Sequence, residues 1–430
     1  MATKHEQGRF PSEMEATVAA RIAELVEQHP PGYAYGSLAS GADILWAEAL
    51  LGRGSELHAV LPFAREEFIE RSVAPAGPRW VERFDRCLAA ATSVRYATDD
   101  AFLGDDVLFR YGSELAMGLA LLRARYLDAE VRQLAVWDGS PAHGAAGTSI
   151  DIASWRRAGR LVTLVSPTAD SSVSEHGGPA AEGEAGPVWA PAARAGEAAE
   201  HVVRGEASYR VVRGEASNRV VRGEASGRVM RAMLFGDVKG FSKLTDEQLP
   251  IFIARVLGAF AVVLRRHQAD VWHRNTWGDA VYVVLSNASA AAACALDLQD
   301  TMMAADLEAE GLPAHLALRL GGHVGPVFPI HDPVLDEPAF MGSHVSRTAR
   351  IEPVTPPGAV YVTERFAAAL VLDGRHEFEC DYVGHMAAAK DYGHLRMYRL
   401  RRNRAWDSSA LQTVASGSTG SSPANTSPSS

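Results

Sequence analysis

Two aspartates in the second half of the chain have the side chain and the setting to hold metal ions. Asp237 ends an apolar strand in LFGDVKGFSKL, and Asp279 follows a glycine in NTWGDAVYVV, at the expected tip of a hairpin. Taken singly, each is typical of a cap or a turn. If the two strands are neighbours, both carboxylates converge, and such pairs suit Mg²⁺ or Mn²⁺ bound together with substrate phosphates. The pair therefore predicts metal-assisted chemistry on a phosphorylated substrate.

Further residues could complete a site for phosphoryl chemistry. Gly240 lets the chain turn after the first strand, so that Phe241 and Ser242 can open a phosphate-facing loop. Two metal ions would lower the pKa of an attacking hydroxyl and neutralise a triphosphate, and the charge left on phosphorus calls for a fixed guanidinium. Arg350 is the candidate, because helical spacing would place it on one helix face with Ser346. The alternative for Arg350 is an ion pair on a helix surface.

Four motifs, in this order along the chain, resemble the catalytic domain of the class III adenylate/guanylate cyclase family. The family's D-x-x-G-F-[ST] appears at 237–242 and its T-x-G-D hairpin at 276–279. Its R-x-G-x-H-x-G-x-V strand appears at 319–327 with the spacing kept, and its A-R-[IL] helix appears at 349–351.

The resemblance extends from Leu234 to about Leu400 and implies an α+β domain of ferredoxin-like type. It implies a nucleotidyl cyclase, a phosphorus-oxygen lyase in which the 3′-hydroxyl of a nucleoside triphosphate attacks the α-phosphorus and pyrophosphate leaves. It also implies a homodimer whose active sites straddle the interface, with Arg350 supplied by one protomer and the metals by the other. Two Mg²⁺ or Mn²⁺ ions would be held by Asp237, Val238 and Asp279.

The sequence departs from the family at the positions that contact the base and ribose. Asn275 stands where purine cyclases usually carry Lys or Glu, Ala339 stands at the second base-reading position, and Ser346 replaces the ribose-binding Asn. The family's phosphate-binding lysine maps to Lys390, with Tyr392 as the alternative position.

These departures leave two interpretations. Either the pocket reads a different base, including a pyrimidine as in the class III cyclases of bacterial defence, or the domain is an inactive module for nucleotide binding or dimerisation. Loss of a metal ligand costs the reaction, whereas loss of a base reader costs specificity. Retention of Asp237, Asp279 and Arg350 therefore favours an active cyclase in intracellular signalling, with the base left open.

Aromatic residues near the motifs are predicted to be structural. Trp277 is expected to be a packing or dimer-interface residue rather than a base-stacking platform. His323 is expected to be structural, and His273 and Arg274 are expected to lie on a solvated strand face.

The elements that must position this site follow an α+β order. The sequence predicts a strand at 231–235, a helix at 247–268 and a hairpin at 270–285. An alanine-rich helix, a strand, a short helix and two closing strands are predicted at 289–303, 316–328, 344–351, 358–363 and 393–400.

The N-terminal part alternates short apolar runs with helix-like segments, which predicts a doubly wound parallel α/β sheet. The five runs are AYGSL, ELHAVLP, SVRYA, RQLAVW and RLVTLVS. Small-residue loops after the first and fourth runs could hold a phosphate at a helix start, or could be tight turns. The pattern resembles the SLOG group of Rossmann-like nucleotide-sensing domains and predicts a small nucleotide-like ligand. The candidate loop residues are Gly36, Ser37, Gly41, Gly147 and Thr148, and Glu48 and Asp138 nearby are either caps or ligand contacts.

Composition completes the predicted organisation. A Rossmann-like domain at 1–167 would be joined to the cyclase domain at 229–403 by a flexible linker at 168–228, in which a nine-residue repeat begins at Val202, Val211 and Val220. A polar tail at 404–430 is predicted to be disordered. The 42 Lys and Arg against 52 Asp and Glu argue against nucleic acid as a partner. Three cysteines without CxxC spacing and apolar runs far shorter than a membrane span predict a cytoplasmic protein.

Overall fold

The computed structural model describes residues 12–142, 144–167, 173–176, 227–390 and 393–403. The repeats beginning at Val202, Val211 and Val220, Tyr392 and the predicted tail lie outside the described residues.

The N-terminal domain alternates strands and helices as predicted. Strands β1, β2 and β3 pair in parallel in that order, and β4 pairs in parallel with β5. All five predicted runs form strands, and both groups contribute to one apolar core. The parallel pairing is confirmed, whereas the doubly wound arrangement stays a prediction. The bounds are β1 Tyr33–Gly36, β2 Glu56–Leu61, β3 Ser93–Tyr96, β4 Gln133–Val136, β5 Val162–Val165, α1 Glu15–Gln28, α2 Ala42–Gly52, α3 Arg65–Ser72, α4 Pro78–Ala90, α5 Val107–Leu127 and α6 Thr148–Arg157.

One further strand lies inside the segment predicted as a linker. β6, Val173–His176, pairs antiparallel with β5. The linker prediction is therefore wrong for these four residues. An edge strand can be short and polar because its stability comes from backbone pairing, so its composition gave no signal.

The C-terminal domain is built on an eight-stranded mixed sheet in the order β13-β14-β12-β10-β7-β9-β8, with β11 paired to β10. The strand β7 lies in its centre and pairs antiparallel with both β10 and β9. The strand bounds are β7 Val229–Lys239, β8 Val271–Trp277, β9 Ala280–Leu285, β10 Ala317–Asp332, β11 Glu337–Met341, β12 Val360–Thr363, β13 Phe378–Ala387 and β14 His394–Arg402.

Four helices accompany this sheet: α7 Gln248–Arg266, α8 Ala288–Ala304, α9 Ser343–Thr348 and α10 Glu364–Leu372. The hairpin and the alanine-rich helix agree with the predicted positions. The helix predicted at 344–351 ends earlier, at Thr348, so Arg350 lies in the turn that follows and not on a helix face shared with Ser346. The strands β11 and β13 and the helix α10 were not predicted.

The helix α7 contains a π-helical turn at Ile253–Leu257. Among the described residues it is the single helix long and apolar enough to cross a membrane, by length and composition only. This differs from the expectation that all apolar runs are too short. One face of α7 packs into the protein core through Phe252, Val256, Phe260 and Val263.

The two domains pack against each other. Helix α5 of the N-terminal domain lies along α10 of the C-terminal domain, and Gly118 approaches Ala368 so closely that a Cβ at residue 118 would come within 2.6 Å of the Ala368 carbonyl carbon. Tyr111, Leu115 and Leu119 on α5 belong to the same buried cluster as the C-terminal core. The described parts of the two predicted domains therefore share an apolar interface.

Candidate active site

The two predicted metal aspartates lie at the same end of the sheet, one near the end of a strand and the other in a turn next to it. Asp237 is near the end of β7, and Asp279 is in the turn between β8 and β9, which pairs with β7. The backbone N–H of Val238 donates to the Asp279 carboxylate at 3.2 Å. Burial raises the pKa of Asp279, and the neighbouring charge of Asp237 adds to this. The convergence that the sequence predicted is thus present in the fold.

Arg319 holds the Asp237 carboxylate from the neighbouring strand. The antiparallel register of β10 and β7 places Arg319 opposite Asp237. Its Nε and Nη2 donate to the two carboxylate oxygens at 2.5 and 2.7 Å, a bidentate pair. The sequence motif at 319–327 contains Arg319 but does not indicate its partner, because the pairing depends on strand register.

Glu352 completes a charged cluster beside this pair. Its Oε1 lies 2.6 Å from Arg319 Nε, which makes the two groups an ion pair. The hydrogen bond of Nε goes to Asp237 and not to Glu352. Burial raises the pKa of Glu352 to about 7, and a hydrogen bond to Asp237 favours the neutral acid further. Three acidic groups thus surround one guanidinium, so the cluster has an excess of negative charge when the carboxyl groups are ionised.

The donor atoms at this edge fit a small divalent cation. Asp237 and Asp279 provide hard carboxylate oxygens on rigid elements, and the backbone of Val238 lies between them. The described residues contain no group of three or more His, Cys, Asp or Glu side chains arranged to hold a metal ion. A metal here would therefore depend on water and substrate phosphates for its remaining ligands, as Mg²⁺ commonly does, and would compete with Arg319 for Asp237.

The turn after β7 has the predicted shape. Gly240 has φ 98°, a conformation that favours glycine, and residues Phe241–Lys243 form one 3₁₀ turn. The Phe241 ring packs on Phe252 with centroids 4.9 Å apart, whereas Ser242 is exposed. Of the predicted loop residues, Ser242 has the side chain available to meet a ligand.

The three base-reading and ribose positions lie on different elements. Asn275 is exposed on β8, and its Oδ1 accepts a hydrogen bond from the N–H of Thr276. Ala339 lies on β11 and Ser346 is exposed on α9. Strand β11 lies beside β8, where the ring centroids of His273 and Phe340 are 6.4 Å apart, and within the described residues no hydrogen bond joins the side chains of Asn275 and Ser346.

The two predicted basic catalytic residues, Arg350 and Lys390, differ in their exposure to solvent. Arg350 is half-buried in the turn after α9, and its carbonyl accepts from the N–H of Ala389. Lys390 is exposed, with φ 58° in the left-handed region. This one backbone contact brings the Lys390 loop beside Arg350.

Aromatic residues near the site divide into buried and exposed sets. Trp277, at the tip of the β8–β9 hairpin, is 90% exposed. His323 is completely buried and bonds to Thr363 and His344, in agreement with a structural role. His273 is half-buried against Tyr282, which differs from the expected solvated face, whereas Arg274 is exposed.

The predicted N-terminal ligand loops carry negative charge. Gly36 ends β1, Ser37 follows it, and Gly41 and Gly147 precede α2 and α6 with positive φ, with Thr148 as the first residue of α6. Asp43 accepts from the Ser37 hydroxyl and the Ala39 N–H, so the Ala39 amide in the first of these loops already has a partner.

The nearby polar candidates have structural partners. Glu48 forms an ion pair with Arg83, and Asp138 accepts from the N–H of Ser140 in a turn. Asp138 therefore caps a local turn, one of its two predicted alternatives, whereas Glu48 is an ion-pair partner of Arg83.

The C-terminal domain is similar in sequence to known proteins. The family model described as "Adenylate and Guanylate cyclase catalytic domain" matches residues 225–402. "Putative adenylate cyclase 3" of Rhizobium meliloti (strain 1021) is 31% identical over 153 residues, which are 34% of this chain and 23% of that protein. The chain thus spans about a quarter of the length of that curated relative.

Solved structures also align with this region. The guanylate cyclase domain of RhGC from Catenaria anguillulae in complex with GTP is 17% identical with a TM-score of 0.35, over 41% of this chain and 97% of that chain. The adenylyl cyclase CyaB from P. aeruginosa is 17% identical with a TM-score of 0.36, over 41% and 96%. Residues 225–402 are therefore similar to the adenylate and guanylate cyclase catalytic domain.

Proposed function

We propose that the C-terminal domain is a metal-dependent nucleotidyl cyclase, which converts a nucleoside triphosphate to a 3′,5′-cyclic nucleotide and pyrophosphate. The observation that supports this most directly is the contact between Val238 and Asp279. It holds the second carboxylate beside Asp237, on the rigid end of the central strand.

Asp237, Val238 and Asp279 would hold the metal ions. When bound, Mg²⁺ or Mn²⁺ ions supply two effects: they lower the pKa of the attacking hydroxyl and neutralise the triphosphate. The protein's own contribution is to fix the carboxylates on paired strands, so that they need not reorganise during the reaction.

Two guanidinium groups provide positive charge for an anionic substrate. Arg319 is held at the edge of the site by Asp237 and Glu352, and would meet phosphate oxygens there. Arg350 would stabilise charge that develops on the α-phosphorus, and the exposed Lys390 would contact phosphate oxygens.

The shared-site homodimer is part of the same proposal. Within the described residues, no hydrogen bond or ion pair joins Arg350 to Asp237 or Asp279, and Trp277 is a large apolar side chain exposed next to Asp279. A second copy of the chain would both cover Trp277 and supply the missing guanidinium.

The base is proposed to be read through Asn275 without the lysine or glutamate that purine cyclases usually carry. Because Asn275 Oδ1 already accepts from Thr276, its side-chain NH₂ is the group left to meet a base. An amide donor pairs with a carbonyl or ring-nitrogen acceptor, which each of the four bases offers. A pyrimidine cyclase acting in phage defence is the second candidate, because Asn275 and Ala339 stand where purine cyclases usually carry other base-contacting residues.

The test is an incubation of the purified chain with Mn²⁺ and each of ATP, GTP, CTP and UTP, followed by mass spectrometry of the products. We expect one cyclic nucleotide to dominate. The matched variants are Asp279→Asn, which should lose at least ~100-fold in kcat since even indirect partners of a metal site cost 10–100-fold, and Asp246→Asn, an exposed aspartate outside the site, which should keep wild-type kcat.

An intact dimer that forms no cyclic product from any of the four nucleotides would replace the cyclase proposal with a binding or dimerisation module. Equal activity in wild type and Asp279→Asn would remove the metal assignment.

A further inference from the structure

The loop between β3 and α5, residues 97–106, carries the N-terminal domain's polar contacts with the helix α9. Its Asp100 accepts a hydrogen bond from the Ser343 hydroxyl at 2.6 Å, at the first residue of α9. Thr98 bonds to His344 Nε2 at 3.2 Å, and Asp99 accepts from Arg347 at 3.3 Å. Three consecutive residues of one domain thus contact a single short helix of the other.

The far side of α9 is fixed to the sheet. His344 Nδ1 bonds to His323 Nε2 at 2.8 Å, and His323 Nδ1 bonds to Thr363 at 2.8 Å. Both imidazoles are completely buried. The His344 ring lies directly over Gly325 of β10, where a Cβ would overlap it. The helix is therefore held between the sheet and the 97–106 loop.

Arg350 moves with this helix because the backbone bonding continues past its end. The N–H of Ala349 donates to Val345, that of Arg350 donates to Arg347, and that of Ile351 donates to Thr348. A shift or a tilt of α9 is consequently transmitted to the Arg350 guanidinium. Displacements of about 1 Å at a positioning group can cost ~100-fold in rate.

We infer that Thr98, Asp99 and Asp100 are positioning residues, through which the N-terminal domain sets the place of α9 and of Arg350 in the cyclase site. This inference rests on the proposed cyclase function for its catalytic consequence. The same loop follows β3 at the carboxyl edge of a parallel sheet, where α/β proteins bind ligands. A ligand at that edge would meet the segment that holds α9.

The interface also provides a matched control. Arg95 on β3 pairs with Glu364 on α10 at 2.5 Å, across the same two domains and with similarly low exposure. This pair does not touch α9. Loss of Arg95 removes an interdomain ion pair and leaves the contacts of Asp100 in place.

The experiment compares the full chain as wild type, Asp100→Ala, Asp100→Asn and Arg95→Gln. Hydrogen exchange is followed over residues 343–351, and kcat and KM are measured with Mn²⁺ and the preferred nucleotide. We expect Asp100→Ala to speed exchange in this segment about tenfold. It should lower kcat by ~10-fold or more with KM changed less than about twofold, because Arg350 acts on charge that develops during the reaction. Asp100→Asn keeps an oxygen for Ser343 and should recover most of both values.

Several results would overturn the inference. Unchanged exchange over 343–351 in Asp100→Ala would show that the loop does not hold α9, and faster exchange with wild-type kcat would show that its position does not matter for catalysis. Equal effects of Arg95→Gln and Asp100→Ala would reduce the contact to general interdomain packing. If wild type forms no cyclic product while Asp100→Ala still speeds exchange, the cyclase proposal fails and the contact between loop and helix stands.

Discussion

Arg319 has two acidic partners in this structure, and a bound metal ion would take one of them away. Without a cation, Arg319 supplies the positive charge for Asp237 and Glu352, and Asp279 lies close enough for its charge to be felt at Arg319. A divalent ion at Asp237 would supply the same charge. The guanidinium would then be released toward the substrate phosphates.

This competition predicts how Arg319→Gln responds to metal. The metal-free variant should have a lower Tm, because Asp237, Asp279 and Glu352 lose their counter-charge. Addition of Mn²⁺ should raise the Tm of the variant by more than that of wild type, by roughly 1–2 °C for each kcal/mol of repulsion relieved, given an unfolding entropy of about 2 cal/mol/K per residue. Thermal melts with and without Mn²⁺ measure this difference without any need for turnover.

The control is Arg255→Gln, which breaks an exposed ion pair with Glu310 on another surface. Its melting temperature should respond to Mn²⁺ as wild type does. Identical Mn²⁺ shifts in the Arg319 variant and wild type would mean that the metal does not compete for Asp237.

Asp151 in the first turn of α6 gives the N-terminal domain a pH-dependent stability. Burial raises the pKa of Asp151 to about 7, the nearby Glu114 and Asp43 add to the rise, and Ser113 and Arg110 oppose it. The folded pKa is higher than the unfolded value of about 3.9. The folded state therefore binds the proton more tightly than the unfolded state does. The free energy of unfolding falls as the pH rises from about 4 to about 7, because the unfolded state loses the Asp151 proton first.

Asp151→Asn should remove this dependence, since an amide is neutral at every pH. The difference in Tm between the variant and wild type should grow in favour of the variant between pH 5 and pH 8. Thermal melts across that range test it. A constant difference over the range would show that Asp151 does not change its protonation there.

At the scale of elements, the close approach of α5 and α10 is what joins the two domains. Gly118 lies inside α5, where glycine usually costs helix stability, and the missing Cβ is the reason that Ala368 can come so near. Sequence patterns alone favour alanine at such a position. The packing reverses that preference.

Gly118→Ala should therefore lower the stability of the whole chain, by ~1–3 kcal/mol for overpacking, in spite of the better helix propensity. Gly52→Ala is the matched change, since Gly52 ends α2 with open space around its Cα, and it should be neutral or slightly stabilising. Urea unfolding of both variants gives the comparison. Equal free energies of unfolding would mean that the two helices separate without cost.

The elements that were predicted have local sequence patterns typical of their structure, and the elements that were missed lack such patterns. The strands β1 to β5 and the convergence of Asp237 and Asp279 follow from local apolar runs and turn residues. The helix α10 was missed because its sequence ERFAAALVL is apolar on most sides, being buried between the sheet and α5. Its pattern therefore lacks the polar face that marks an amphipathic helix.

The contacts around the site were missed for a different reason. Arg319 and Asp237 are 82 residues apart, and Asp100 and Ser343 are 243 apart. Each pairing depends on strand register or domain docking, which a single sequence does not express. Thr98, Asp99 and Asp100 look like a polar turn until the second domain is placed against them.

At the scale of the whole molecule, the packed interface changes how the role of the N-terminal domain can be tested. Removal of residues 1–165 would uncover Ala368 on α10, which packs against Gly118. A truncated chain could lose activity through exposure of apolar surface alone. Single substitutions in the interface keep that surface covered.

The arrangement of protomers predicts the outcome of mixing two inactive variants. Asp279→Asn should lack a metal site and Arg350→Gln should lack the transition-state guanidinium, so each alone should have little activity. If one protomer provides the metals and the other provides Arg350, a mixed dimer contains one intact site. Free exchange in a 1:1 mixture makes half of the dimers mixed, so activity should return to about a quarter of wild type.

The matched mixture is Asp279→Asn with Asp237→Asn, in which both protomers lack a metal ligand and no pairing restores a site. This mixture should stay inactive, as measured by cyclic product after the subunits have been allowed to exchange. Arg350 lies two residues before Glu352, which contacts the Arg319 that pairs with Asp237 of the same chain. A site formed within one protomer is therefore the competing arrangement. In that case the mixture of Asp279→Asn and Arg350→Gln would remain as inactive as its control, because neither chain carries both groups.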